Sequence, residues 1–323
     1  MPQELFFLSA LKLTLKLIYI ELLGILIIIS ALILSIWSVK IIGLEYRQEY
    51  SDCIAHEHVD TKCKDILSIT KPCNCFLTIN VTEPMNKTVT AYYELESFDQ
   101  SLHYYSRDNK QLSGELSSTV SENCAPYDYV TTDGGRKPIA PCGGLADRMF
   151  NDTFLLQINN AYVPFVETGL IPEDYKKLYR NPSGNLQAAF KDYAKPINWR
   201  NNIWELDTEN PNNNGFQNEG FIAWMTTDWN RKPLWQINHT EIYADGLPKG
   251  VYVLRVKYTY PASMYNGRRY FIISNQQRII NYVVVGFVVL LLCVGLIIVA
   301  GKMYFNRKKY GQYIQCKKPV PHS

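Results

Sequence analysis

From Ile280 to Gly301 the chain runs for 22 residues without one charged side chain, and no other feature constrains its fold as tightly. At 1.5 Å per helical residue the run reaches about 33 Å, enough to cross a hydrocarbon core of about 30 Å. A second run, Leu17 to Val39, is interrupted only by Tyr19, Glu21, Ser30, Ser35, Trp37 and Ser38. It reaches roughly 34 Å, again sufficient to span. A cleaved signal peptide is the alternative for this first run. Signal cores are about 7–15 residues long, whereas Trp37 sits where an interfacial aromatic anchor belongs. Both runs are therefore expected to be transmembrane helices, and nothing between them is long enough to span.

Charge sets the expected orientation. Lys302, Arg307, Lys308 and Lys309 follow the second run, and only Arg278 stands just before it. The positive-inside rule puts the following end in the cytosol, and two spans bring Lys12 and Lys16 to the same side. The expected organisation is a cytosolic tail at 1–16, a helix at 17–39, a lumenal or extracellular domain at 40–279, a helix at 280–301 and a basic cytosolic tail at 302–323. The ends are basic and the middle mildly acidic, the reverse of a nucleic-acid binder, whose basic patch lies on its folded domain.

Two further signals fall on the same middle segment. Six of the eight cysteines lie there: Cys53, Cys63, Cys73, Cys75, Cys124 and Cys142. Cys293 is in the second run and Cys316 in the tail. An even number in an oxidising compartment reads as three disulfides, for which sequence alone permits about fifteen pairings. A zinc site at Cys73-x-Cys75 is the alternative, disfavoured because no CxxC pair exists. Acceptor sequons for N-glycosylation begin at Asn80, Asn86, Asn151 and Asn238. Asn181-Pro-Ser is disqualified by its proline.

Alternating stretches predict strands at Phe76–Val81, Val89–Tyr93, Asp152–Ile158 and Val251–Tyr260, with a further buried strand at Phe221–Met225. Turn clusters separate them, among them Asn181-Pro-Ser-Gly and Gly246-Leu-Pro-Lys-Gly. The expected fold is two transmembrane α-helices flanking one large, mainly antiparallel β ectodomain with short helical and loop excursions.

Reaction chemistry is scarce. No nucleophile elbow, Walker loop, zinc-protease or dinucleotide motif occurs, and no cofactor or metal is expected. His56-Glu-His58 would need a third ligand and reads as a surface loop. Asp133-Gly-Gly-Arg-Lys reads as a turn. Glu21, inside the first run, is a costly placement and so a functional candidate, although it is near enough to the cytosolic face to snorkel. Gly286 is the candidate for close helix contact, and the basic tail suits anionic lipid or a docking partner. A two-span ligand-gated channel subunit shares this plan, yet neither run offers the polar stripe a pore needs. An ectoenzyme or adhesion receptor would work through the ectodomain alone.

Longer strings remain. Lys137-Pro-Ile-Ala-Pro-Cys142-Gly143 precedes Met149-Phe-Asn-Asp-Thr153. Lys195-Pro-Ile-Asn-Trp199 precedes Asn212-Asn-Asn-Gly-Phe-Gln-Asn-Glu-Gly-Phe-Ile-Ala-Trp-Met225. Tyr105-Ser-Arg-Asp-Asn-Lys-Gln-Leu112 and Tyr258-Thr-Tyr-Pro261 complete the series. Together they resemble the cell-cycle-control protein 50 / ligand-effect modulator family, the non-catalytic β-subunits of type-IV P-type ATPase phospholipid flippases. The resemblance implies a heterodimer with the ATPase catalytic subunit, contact with membrane lipids and no nucleic acid. It implies a chaperone role in leaving the endoplasmic reticulum, for residence there, in Golgi or endosomes, or at the plasma membrane. It also implies the pairs Cys53–Cys75, Cys63–Cys73 and Cys124–Cys142, and sugar at Asn80 and Asn151. Two departures stand out. Cys53 and Cys63 are farther apart than the family's usual spacing, and Ile273-Ser-Asn-Gln-Gln replaces a Ser-Trp-x-Gly-Gly string.

Overall fold

A computed structural model describes residues 18–19, 22–33, 39–58, 60–66, 72–100, 106–132, 135–280 and 282–315. The chain divides into two compact units, one formed by both ends (through Ile42 and from Gln276) and one by Gly43–Asn275.

The Gly43–Asn275 unit is built on two antiparallel sheets. Five strands run in the order β10 (Phe165–Val166), β11 (Arg231–Ile237), β5 (Thr90–Leu95), β14 (Arg269–Ser274) and β2 (Glu45–Glu49). Four more run β3 (Cys73–Val81), β13 (Gly250–Tyr258), β8 (Thr153–Ile158) and β9 (Ala161–Tyr162). Side chains alternate across a strand, so β13 buries Tyr252, Leu254, Val256 and Tyr258 while Val251, Val253 and Lys257 face outward. Its partner β3, in register from Gly250↔Val81 to Tyr258↔Cys73, buries Cys73, Cys75, Ile79 and Val81. The buried faces of both sheets share one core, in which Phe154 of β8 lies 5.1 Å from Phe271 of β14. Two ribbons complete the unit, β4 (Met85–Asn86) with β12 (Gly246–Leu247) and β6 (Tyr129–Thr132) with β7 (Gly135–Pro138).

One expected strand is a helix. Glu219–Met225 is α-helical, with the Asn218 side chain accepting from Phe221 N at 2.9 Å as its N-cap. Almost every side chain of this helix is buried. An apolar run that short has no period to read, and the asparagine before it decides the outcome.

The other unit holds the apolar helices. Tyr282–Gln315 is one helix, of which Val283–Tyr304 is long and apolar enough to cross a membrane; Leu22–Ile33 is shorter. They meet at glycines. A Cβ on Gly295 would lie 2.7 Å from Ile28 Cγ1 and 3.2 Å from Gly24 O, so only hydrogen fits. Gly286, the expected contact point, has nothing within 4 Å. It lies more than two turns from Gly295, away from where the short helix packs. Val39 and Ile280, read from sequence as ends of the spans, pair with each other in a ribbon of β1 (Val39–Ile42) and β15 (Gln277–Ile280).

Candidate functional site

Near the centre of the Gly43–Asn275 core lies a buried ion pair. Arg269, at the start of β14, and Asp152, just before β8, are 1% and 4% exposed, and Nη1 lies 3.0 Å from Oδ2. Such a pair persists only if its remaining valences are met. Asp152 Oδ1 accepts from Thr259 N and Tyr260 N, and Oδ2 also accepts from Tyr50 OH at 3.1 Å. The guanidinium donates to Tyr260 O at 2.8 Å and Tyr265 O at 2.7 Å and stacks over the Tyr258 ring. Burial raises the Asp152 carboxyl above its ordinary range, against the pull of Arg269. Burial is the largest influence on Arg269 and would lower it, but Asp152, Tyr50 and Tyr258 together outweigh it and the net direction is up. This cluster explains Tyr258-Thr-Tyr-Pro261, whose amides hold the carboxylate.

The other strings stitch a layer of short helices to the sheets. Carbonyls at the end of helix Gly144–Asp147 take side-chain donors as well as the amides that follow. Trp199 Nε1 donates to Ala146 O and Trp224 Nε1 to Leu145 O, each at 2.7 Å, while Asp147 accepts from Asn198 N and Nδ2. Gln111 donates through Nε2 to Ile139 O and accepts at Oε1 from Cys142 N. Gly143 has φ 102°, and a Cβ there would lie 2.0 Å from Ser106 O, so no other residue fits. Asn213, Asn214 and Asn218 are buried and spend their amides on neighbouring backbone and on Asp207; Asn218 Nδ2 donates to Asn213 O and Asn213 Nδ2 to Asp207 Oδ2. Glu219, 4% exposed, accepts from Gly169 N, Leu170 N, Ile171 N and Lys176 Nζ. Burial pushes its pKa up, but Lys176 and those three amides prevail and hold it below the carboxylate range.

Cys53–Cys75, Cys63–Cys73 and Cys124–Cys142 are joined as disulfides, with Cα separations of 6.0, 5.5 and 5.6 Å. Among the described residues the one metal-like cluster is Cys53, Cys63 and Cys75. Those sulfurs are committed to disulfides, so no thiolate is free to ligate. His56 and His58 are exposed, and the His56 ring packs edge-on to Phe76 at 4.9 Å. Asn80, Asn86 and Asn238 are exposed, whereas Asn151 is half-buried. Glu21, Lys12, Lys16, Trp37, Asp133, Gly134 and Cys316 lie outside the described residues.

Sequence reasoning missed Lys232. It is 4% exposed, its Nζ donates to Thr226 O, and it lines a cavity of about 580 Å³ with Glu94, Asp99 and Asp228. Burial lowers its pKa to about 7, with Asp228 opposing. A lysine inside a strand gives no signal that its own ammonium is enclosed.

The two sheets, the three disulfides and the stitched layer make one packed unit, on a chain that also carries a helix long and apolar enough to cross a membrane. A family model described as the LEM3 (ligand-effect modulator 3) family / CDC50 family matches residues 32–308. Cell cycle control protein 50C of Mus musculus is 35% identical over 257 residues, covering 75% of this chain and 72% of that protein. Cell cycle control protein 50A of Rattus norvegicus is 36% identical over 252 residues, covering 70% and 76%. Cell cycle control protein 50B of Homo sapiens is 37% identical over 223 residues, covering 63% and 62%. The chain belongs to the CDC50 family.

Proposed function

We propose that this chain is the non-catalytic β-subunit of a type-IV P-type ATPase that moves aminophospholipids to the cytosolic leaflet. In this reading it is a two-pass membrane glycoprotein with both tails cytosolic. It supports folding of the catalytic subunit, its exit from the endoplasmic reticulum and its transport cycle. The family match across residues 32–308 carries the reading. The strings behind the family resemblance support it too, because the side chains they contribute are spent on internal hydrogen bonds and packing. A partner already ordered by staples and stitches loses little conformational entropy on docking. Such a subunit biases the pump's cycle only by binding some conformations better than others.

The test is co-purification. A tagged full chain extracted in mild detergent should bring down a large P-type ATPase in a one-to-one complex. Recovery of the chain alone, under conditions that preserve other membrane complexes, would count decisively against the proposal.

A further inference from the structure

A cleft of about 430 Å³ opens beside Asn151 in the Gly43–Asn275 unit. We infer that it seats the first sugars of an N-linked glycan carried by Asn151 itself, so that this glycan packs as part of the fold. The inference rests on the extracytoplasmic placement proposed above and adds to it a defined place for one sugar chain.

The four sequon asparagines are not equivalent. Asn80, Asn86 and Asn238 stand exposed, while Asn151 is half-buried in the cleft wall. Its Oδ1 is sealed from solvent and has no hydrogen-bond partner. Its Nδ2 is the atom that an N-linked sugar would take. Attachment joins that Nδ2 to the anomeric carbon of a sugar. The carbon–oxygen bond to a lipid-pyrophosphate donor breaks, the pyrophosphate leaves with the bonding pair, and Nδ2 gives up a proton.

The cleft has the chemistry to hold what is attached. Trp199, Pro233 and Leu234 supply apolar surface for the C–H face of a pyranose, and Asn201, Arg200 and Lys257 supply polar groups for its hydroxyls. The Glu167 carboxylate is open to water yet crowded by the cleft, and this desolvation raises its pKa. Its oxygens can accept from sugar hydroxyls. The volume lies in the range of small-ligand pockets, about 300–1,000 Å³, so it suits the stem of a glycan and not its branches. Covalent tethering gives the sugar a high effective concentration, so weak contacts suffice to keep it seated.

The test uses the full chain made in a glycosylating cell and extracted in mild detergent. Peptide-N-glycosidase is applied before and after denaturation, and release is read site by site from the aspartate it leaves. Native release at Asn151 should be about tenfold slower than at Asn80, Asn86 and Asn238, equivalent to about 1.4 kcal/mol of seating, and all four should match after denaturation. The double substitution Arg200→Ala/Asn201→Ala, at two exposed wall positions, should speed release at Asn151 alone. Equal native rates at all four sites, unchanged protection in the double variant, or a bare Asn151 beside three occupied sites would each overturn the seat and leave the placement standing. Absence of sugar from all four would sink the placement, and the seat with it.

Discussion

Asp152 and Arg269 are charges held where charge is costly, and the donors and acceptors around them make that tolerable. Taking either ion out of water costs several kcal/mol, and the pair returns this only with its other valences met. Here Thr259, Tyr260 and Tyr50 serve the carboxylate, and two carbonyls serve the guanidinium, whose Nε alone is left without a partner. Removing one partner strands the other, so Arg269→Met and Asp152→Asn should each destabilise by about 3–5 kcal/mol. The double variant should cost less than the sum by about 0.5–3 kcal/mol. Denaturant titration of the four proteins checks this, and additive losses would refute the coupling. Lys232 makes a different prediction because it is enclosed with little compensation. Its pKa falls to about 7 on folding, while an unfolded lysine titrates near about 10.4. Between those values the unfolded chain binds more protons, so stability climbs as pH rises, at up to about 1.4 kcal/mol per pH unit. Below pH 7 the ammonium is charged in both states and the slope vanishes. Lys232→Met should flatten the rise in thermal midpoint between pH 7 and 9. A variant keeping the wild-type slope would show that Lys232 is not its source.

Among elements, the segment closed by Cys124–Cys142 depends most on its staple. Its own buried apolar cluster is Val120, Ile139 and the two cysteines, set apart from the main core. So small a cluster holds poorly by burial alone. Replacing either cysteine with serine should cost about 2–5 kcal/mol and leave the chain in the endoplasmic reticulum, seen as glycans that stay endoglycosidase-H sensitive. Normal maturation of both variants would defeat this. The β3, β5, β8 and β13 strands were legible in the sequence because each has one wet and one dry face. β2 was not, since the edge strand Glu45-Tyr-Arg-Gln-Glu49 is charged, as edges often are. β11 hid behind Pro233, which sits at a break in its register with β5. β14 opens with Arg269, a charge that masks a fully buried strand. The cysteines and sequons could be located from sequence alone, but the ion pair could not, because Asp152 and Arg269 are 117 residues apart. Glu219 was equally hidden, since its ligands are backbone amides from a distant turn. Gly295 and Gly286 look alike as letters, and only the packing of Gly24 tells them apart.

At the scale of the whole molecule, the proposal requires that residues 43–275 fold outside the cytosol. Disulfides persist in oxidising compartments and are rare in the cytosol, and three lie within this unit. The cluster of basic residues after the second apolar run favours the cytosol for the opposite end. Protease added to sealed vesicles should therefore remove tags fused to either end and leave a protected fragment containing the ectodomain. Protection alone is ambiguous, because a stapled sandwich opens rarely and resists cleavage even when exposed. The deciding comparison adds detergent and reductant. If the membrane is the shield, the fragment stays whole in sealed vesicles even with reductant present, and disappears only once the bilayer is dissolved. Digestion of the middle segment in sealed, reduced vesicles would place it in the cytosol. The N-glycans and the proposed β-subunit role would then both fall.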